Sequence, residues 1–517
     1  MPRTPTPSTP QHLRSIIKSA RDVMRKDKGL SGDLDRLPML TWIMFLKFLD
    51  DMERIREAEA QLARVAYHPP IAPPYRWRDW AAPEDGVSGD DLKAFINQDE
   101  AMRPDGRRGP GLFATLRGLQ SENGAGREEI IATVFRGVSN RMESGYLLRD
   151  VINLVNRIHF DSSEETHTLS QLYESMLQEM RDAAGDAGEF YTPRAVVRFM
   201  VEVIDPILSE VVLDPACGTG GFLVEAYKHL AGQCRTAADR QTLEHSIVGN
   251  EAKPLPYLLA EMNLLLHGME SPSVAYGNSL GQPLTEISDG KRVDVILTNP
   301  PFGGEEERGI LGNFPEDKQT SETALLFLQL IMRKLRRVGR DSSRGGRAAV
   351  VVPNGTLFGD GVAARIKEEL LKDFNLHTVV RLPNGVFAPY TAIPTNLLFF
   401  DRSGPTRVIW YYELPLPEGR KNYTKTQPLR YEEFAGLLAW WGQREENDHA
   451  WQAAAADVLK YDAGGRLLSA NLDLKNPRGG DAFEHMAPEQ LVEDILKKEQ
   501  RVIALMNEIK TLLAGAV

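Results

Sequence analysis

The chain has only two cysteines in 517 residues, Cys217 and Cys234, no long apolar run free of charge, and no excess of positive charge. Two thiols cannot build a disulfide-dense scaffold or a thiolate-only zinc site, and their scarcity suits a reducing compartment. Charges such as Lys47, Asp50 and Glu261 interrupt the longest apolar stretches before they reach membrane-spanning length, so the expectation is a soluble, cytoplasmic protein with no membrane partner. Lys and Arg total 61 against 72 Asp and Glu, a net charge of -11. This balance excludes a protein coated in positive charge and leaves room for a local basic surface. Neither a GxxxxGK phosphate loop nor a nuclease constellation occurs, so translocation and strand cleavage are not expected of this chain. The opening MPRTPTPSTPQHLRS is proline-rich and lacks the apolar centre of a signal peptide, and it reads as an extended arm.

What is present divides into three regions. Residues 1–165 carry mainly helical patterns. LPMLTWIMFLKFLDDMERIREAEAQLA begins densely apolar, with Leu40, Ile43, Phe45, Leu46, Phe48 and Leu49, and turns charged toward Arg64, as a buried helix emerging at a domain face would. YHPPIAPPYRWRDW, from Tyr67 to Trp80, reads as an ordered crossing rather than a helix. Shorter helices are expected near 91–97, 111–119, 127–135 and 146–158. Residues 166–430 alternate short apolar strands (VVLD, HSIVGNE, VDVILTNP, RAAVVVP, TVVRLP, NLLFFD) with helices, which predicts an α/β, doubly wound, mostly parallel sheet covered on both faces. Residues 431–517 are expected to form a C-terminal helical docking region. It ends in an amphipathic helix from about 489 to 513, where Leu491, Ile495, Val502, Ile503, Leu505, Met506 and Ile509 offer an apolar stripe.

The clearest chemical pattern is VVLDPACGTGGF. Gly218, Gly220 and Gly221 follow a strand and open a helix, where missing side chains let the backbone turn sharply and approach a ligand. The spacing departs from a pyrophosphate fingerprint. Asp214 suits an ammonium group better than a phosphate. Together these favour S-adenosyl-L-methionine over a dinucleotide, with Ala216, Thr219 and Phe222 on the same turn. Glu251 ends the next strand, where its carboxylate could accept ribose hydroxyls, and Asn278 and Ser279 of YGNSL could meet an adenine ring. Loop capping is the ordinary alternative for each of these polar residues.

A second pattern, VDVILTNPPFGG, ends a strand with Asn299-Pro300-Pro301-Phe302. Consecutive prolines stiffen the backbone and remove two amide donors, leaving carbonyls and the Asn299 side-chain oxygen as acceptors for an exocyclic amino group. Phe302 can cover the face of a flat base taken out of its stack. An aromatic amine is a weak nucleophile because its lone pair is delocalised, so acceptors that pull its hydrogens toward tetrahedral geometry supply orientation and charge stabilisation. This chemistry calls for no metal, and His245, His267 and His377 are expected in core or surface roles.

The order of DPACGTGG followed by NPPF resembles the amino-group DNA methyltransferases, and particularly the modification subunit of type I restriction-modification systems. The resemblance implies S-adenosylmethionine at the first motif and methylation of adenine at its exocyclic nitrogen at the second. GEFYTPRAVVRFMV, Gly188 to Val201, resembles the family segment that closes over the methionine end of the cofactor, which adds Glu189, Phe190, Tyr191, Thr192 and Pro193 to the cofactor candidates. LSGDLDRLPMLTWIMFLKFLDD resembles the family's N-terminal helical domain, and LDLKNPRG has a family-like look near the carboxyl end. The partners implied are double-stranded DNA, a specificity subunit joined by two modification subunits, and a restriction or translocase subunit in the full complex. Position 278 is Asn where such enzymes often carry an acid, and position 302 is Phe rather than Tyr. Two other readings remain at this point: a protein glutamine-amide methyltransferase, and an inactive DNA-binding or assembly subunit. Arg333, Lys334, Arg336, Arg337, Arg340, Arg344 and Arg347 form a basic segment that could contact phosphates or simply be solvated.

Overall fold

The run Arg347–Pro353 is buried along its whole length, as expected of a strand with helices on both faces. It lies near the middle of a nine-stranded sheet. The computed structural model describes residues 10–120, 127–160, 163–183, 191–339 and 345–478, together with positions 499, 500 and 506.

The N-terminal part contains α1 (Pro10–Met24), α2 (Asp33–Ala63), α3 (Trp77–Trp80) and α4 (Gly89–Asn97), then a short hairpin of β1 (Glu100–Met102) and β2 (Arg108–Pro110). Helices α5 (Leu112–Arg117), α6 (Arg127–Arg136), α7 (Gly145–Val155) and α8 (Ser163–Ala183) follow. Helix α2 is buried on every side from Met39 to Asp51 and then surfaces. Lys47 pairs with Asp51 one turn later, which removes the cost of an isolated buried charge. The proline-rich crossing is indeed non-helical until its last four residues, which form α3. The hairpin has no counterpart in the helical periodicity of this region.

The sheet is built from β3 (Val212–Asp214), β4 (Ile247–Glu251), β5 (Ser273–Tyr276), β6 (Val295–Thr298), β7 (Arg347–Pro353), β8 (Asn375–Arg381), β9 (Thr395–Asp401), β10 (Val408–Glu413) and β11 (Ala450–Ala454), in the order β11-β10-β8-β9-β7-β6-β3-β4-β5. β9 runs antiparallel to β7 and β8, β11 runs antiparallel to β10, and the remaining pairs are parallel. Alternate residues of each strand face opposite layers. Val295, Leu297, Ala349 and Val351 pack with α9 (Arg194–Ile204), α10 (Gly221–Ala231) and α12 (Pro254–Leu266), and α11 (Ala237–Ser246) adds Leu243 to the same cluster. After the single-turn α13 (Arg308–Leu311) come α14 (Thr323–Lys334) and α15 (Gly361–Asp373), which pack with Ile296, Ala348, Val350 and Val352. The architecture is the doubly wound α/β sheet expected. Its winding reverses beside β3, which places a ligand crevice outside the carboxyl ends of β3, β4 and β6.

Two expectations are corrected, and a third lies beyond what the structure describes. The sheet domain does not stop at residue 430: β11 completes the sheet, and the hairpin of β12 (Leu459–Tyr461) and β13 (Leu467–Ala470) packs beyond it. Alternation over short segments around Trp451 carries too few residues to distinguish a strand from a helical tail. The expected terminal amphipathic helix lies almost wholly outside the described residues. The helical part is not a separate core either, because Leu169, Tyr173 and Leu177 of α8 share one cluster with α2 and with Tyr257, Leu258 and Met262 of α12.

The described part of the basic segment leads into the amino end of β7, at the end of the sheet opposite the crevice. Arg347 begins β7 and grips both Glu210 carboxylate oxygens at 2.7 and 2.8 Å while donating to the Ile204 and Asp205 carbonyls. Arg333 donates to the Leu284 carbonyl, and Arg336 pairs with Asp294. These three side chains are engaged within the fold; Arg340 and Arg344 lie outside the described residues.

Candidate active site

After β3 the chain turns through Pro215 to Gly220 and enters α10. Gly218 and Gly220 take φ of 55° and 76°, a region that disfavours side chains. The Gly220 α-carbon faces Ala260 on α12 so closely that a β-carbon would touch it at 3.4 Å. At Gly221 a β-carbon would fall 1.6 Å from Arg194 Nη1. The glycine run therefore allows both the turn and the approach of a guanidinium to the first turn of α10, whose free backbone N–H groups favour an anionic ligand group.

Asp214, at the end of β3, is buried. Its Oδ1 accepts from Thr298 Oγ1 at 2.7 Å and from the Ala216 amide at 3.1 Å. Burial pushes its carboxyl up to about 7; the two donors oppose the shift and nearby Glu251 adds to it. A cationic ligand would restore the ionised form. Glu251, at the end of β4, accepts from the Gly218 amide through Oε2 at 2.9 Å and from the Lys253 amide through Oε1 at 2.8 Å. Burial raises its carboxyl as well, against those two amides. Each oxygen retains lone-pair capacity for a hydroxyl donor.

These groups line a cavity of about 460 Å³. Thr192, Asp214, Ala216, Gly218, Thr219, Gly221, Phe222, Glu251, Asn278, Ser279, Asn299 and Pro301 all reach its wall. Residues separated by up to 109 positions thus converge on one crevice, as the two motifs imply.

The catalytic candidate is held from the side. Asn299 Nδ2 donates to Thr192 Oγ1 at 3.0 Å, while Asn299 Oδ1 is buried and has no hydrogen-bond partner. Pro300 is buried and Pro301 exposed. Phe302 lies half-buried against Phe387, with ring centroids 5.5 Å apart, and near Tyr390 at 6.4 Å. It stands beside the cavity rather than in its wall.

Not every expected contact is made. Tyr191 is in the core, with the Arg194 guanidinium 4.8 Å over its ring, and does not reach the cavity wall. Pro193 caps α9 and is likewise absent from the wall. Gly220 contributes backbone conformation. Ser279 Oγ donates to the Pro215 carbonyl at 2.6 Å and accepts from Asn250 at 2.7 Å, so its hydroxyl chiefly joins two loops. Asn278 Oδ1 caps Leu280, and its Nδ2 reaches Glu306 Oε2 at 3.3 Å. Glu189 and Phe190 lie outside the described residues.

Sequence reasoning missed a polar network under the glycine turn. Arg194 donates through Nε and Nη2 to Glu174 at 2.7 and 2.9 Å, and Asn263 donates both to Glu174 Oε1 and to the Thr219 carbonyl at 2.9 Å. Burial would raise the Glu174 carboxyl, but Arg194 and Asn263 hold it below its ordinary range. Arg194 lines the cavity, and its Nη1 is buried without a hydrogen-bond partner. The TPR triplet contained this arginine, yet nothing local paired it with a residue twenty positions earlier. His267 and His377 are both pushed down to about 4, chiefly by burial, and neither reaches the cavity wall. Among the described residues no group of three or more His, Cys, Asp or Glu side chains is placed to hold a metal ion, and no helix is long and apolar enough to cross a membrane.

A doubly wound sheet with acids ending β3 and β4, a glycine turn between them and an Asn-Pro-Pro loop ending β6 defines a methyltransferase of the S-adenosylmethionine-dependent fold class. Comparison with known proteins narrows this. Residues 164–464 match the N-6 DNA methylase family, and residues 13–155 match the HsdM N-terminal domain. The chain is 45% identical over 515 residues to the type I restriction enzyme EcoEI methylase subunit of Escherichia coli, covering 98% of each. It superposes with a TM-score of 0.84 and 67% identity on the crystal structure of a modification subunit of a putative type I restriction enzyme from Vibrio vulnificus YJ016, over 93% of this chain and 100% of that one. A chain from a structural study of type I R-M system assembly gives a TM-score of 0.78 and 40% identity, covering 98% and 99%. The protein belongs to the N-6 DNA methylase family, as a methylase subunit of the type I restriction enzyme kind.

Proposed function

We propose that this chain transfers a methyl group from S-adenosyl-L-methionine to the exocyclic amino nitrogen of adenine in double-stranded DNA, as the modification subunit of a type I restriction-modification complex. The observation that carries the reading is Asn299, which lines a cavity together with Asp214 and Glu251 and whose side-chain oxygen is a buried acceptor without a partner.

The residues present fit the cofactor. The unpartnered Arg194 Nη1 and the start of α10 suit a carboxylate, Asp214 suits an ammonium, and Glu251 suits ribose hydroxyls. When bound, the cofactor supplies an activated methyl carbon. The chain's part is to orient the acceptor: Thr192 fixes the Asn299 amide so that Oδ1 can take one adenine N–H, the rigid Pro300-Pro301 backbone presents carbonyl oxygen for the other, and Phe302 with Tyr390 offers aromatic cover for an extruded base. As positive charge grows on the nitrogen, these oxygens stabilise it.

On this reading the chain works in the cytoplasm. A specificity subunit selects the site, two modification subunits join it, and a restriction or translocase subunit completes the assembly. The helical part and the C-terminal segment serve as docking elements. A glutamine-amide substrate or an inactive assembly role gains no support from membership of a DNA methylase family. The test is transfer of labelled methyl groups into DNA by the protein with its specificity subunit, followed by analysis of the modified base; label on cytosine or on protein would refute the reading.

A further inference from the structure

One exposed aromatic ring, on the loop that follows β7, stands on a firm support. β7 runs parallel to β6, with Val350 opposite Thr298, so the chain leaving Pro353 emerges at the same end of the sheet as Asn299. There it makes a single 3-10 turn, Asn354–Leu357. The Asn354 amide donates to the Pro394 carbonyl at 2.8 Å, and Asn396 Nδ2 donates to Asn354 Oδ1 at 3.0 Å. Leu357 is fully buried, and its carbonyl accepts from the Leu472 amide at 2.7 Å and from Lys367 Nζ at 3.0 Å. Lysine is rarely buried completely, yet Lys367 is, and this backbone carbonyl is its hydrogen-bond partner. Asp360 bridges to Ser469 on β13. The turn is thus held from α15, from the β9 side and from the C-terminal hairpin.

Between these anchors Phe358 is 45% exposed. It is followed by Gly359 and Gly361 with φ of 117° and 59°, so the chain turns away immediately after presenting the ring. Ile393, 49% exposed, lies on the loop that brings Phe387 and Tyr390 to Phe302. Phe358 and Ile393 are therefore two apolar side chains left in solvent on loops at the carboxyl end of the sheet, where Asn299 also sits. A base drawn out of a duplex leaves a gap between its stacked neighbours, and proteins fill or open such gaps with apolar wedges borne on rigid supports.

We infer that Phe358 enters the DNA duplex where the target base leaves it, stabilising the extruded state by occupying the vacated stack. The inference rests on the adenine-methylation reading and adds to it the side chain that engages the remaining duplex.

The test uses the full protein with its specificity subunit and two duplexes carrying the site that the wild-type complex methylates, one fully paired and one with an abasic residue opposite the target adenine. Loss of pairing lowers the cost of extrusion, so a residue that assists extrusion matters less there. F358A is expected to lose about tenfold in methylation rate on the paired duplex and to return within about twofold of wild type on the abasic one, with F358W close to wild type on both. Emission from 2-aminopurine at the target position should rise less with F358A than with wild type on the paired duplex. Cofactor affinity of F358A by calorimetry should match wild type. Wild-type rates for F358A on the paired duplex, an equal loss on both duplexes, or weakened cofactor binding would each overturn the inference. If the wild-type complex itself methylates adenine in neither duplex, the failure lies in the underlying reading.

Discussion

Asn299 donates its side-chain N–H to Thr192 Oγ1 at 3.0 Å, and this bond fixes which way the amide faces. The oxygen is left buried and unpartnered on a residue that lines the cavity, and a native protein rarely leaves such an acceptor without a function. The link joins the loop after β6 to the segment before α9, across more than a hundred residues of sequence.

Asn299→Ala should lower the methylation rate about a hundredfold or more, since it removes an acceptor that acts on developing charge. Thr192→Val should cost about tenfold by freeing the amide to rotate, and Thr192→Ser should stay near wild type. Single-turnover methyl transfer with saturating cofactor measures all three. Circular dichroism of Asn299→Ala should match wild type.

Asp214 gives a pH dependence with a definite sign. Its folded value near 7 lies above the ordinary 3.8, so the unfolded chain loses this proton first. The native state consequently loses stability as pH rises toward and through 7, and Asp214→Asn should gain in melting temperature relative to wild type over the same range. Cofactor binding should behave oppositely: the dissociation constant of the cationic ligand falls as pH rises through 7 and flattens above it, and Asp214→Asn removes the slope. Calorimetry and thermal melts at pH 6, 7 and 8 check both directions, on the order of tenfold in affinity per pH unit below the transition.

Gly221→Ala places a methyl group where Arg194 Nη1 now sits, 1.6 Å from the new carbon. The guanidinium must shift against its bidentate hold on Glu174, so both melting temperature and cofactor affinity should fall, by roughly 1–3 kcal/mol of stability. A titration of the variant that matched wild type would remove the Arg194 contact from the cofactor site.

Glu174→Gln keeps the shape but removes the charge opposite Arg194. The pair is partly exposed, with side chains 28% and 19% accessible, so the expected loss is about 1–2 kcal/mol. Denaturant unfolding of the variant against wild type measures it.

The parts of this design that were readable from the chain are those with strong local periodicity or a rigid backbone requirement. VVLD, HSIVGNE and RAAVVVP announce strands because apolar runs between helices have nowhere to go but a sheet covered on both sides, and DPACGTGG and NPPF constrain their own turns. The pairing of Arg194 with Glu174, the support of Leu357 by Lys367, and the completion of the sheet by Ala450–Ala454 depend on contacts between distant segments. No local pattern encodes those contacts. The basic residues from Arg333 to Arg347 make the same point: composition left phosphate contact and simple solvation both open, whereas Arg347 is drawn inward by Glu210 and two carbonyls that only the folded chain brings to it.

The most direct measurement is methyl transfer from labelled S-adenosylmethionine into duplex DNA by this protein with its specificity subunit, comparing wild type with Asn299→Ala and identifying the labelled nucleoside by chromatography. Wild type should yield N6-methyladenosine as its deoxynucleoside, and Asn299→Ala should yield about a hundredth of it or less while still binding cofactor. Equal label from the two proteins, or label on another base, would contradict the role given to the Asn299 oxygen.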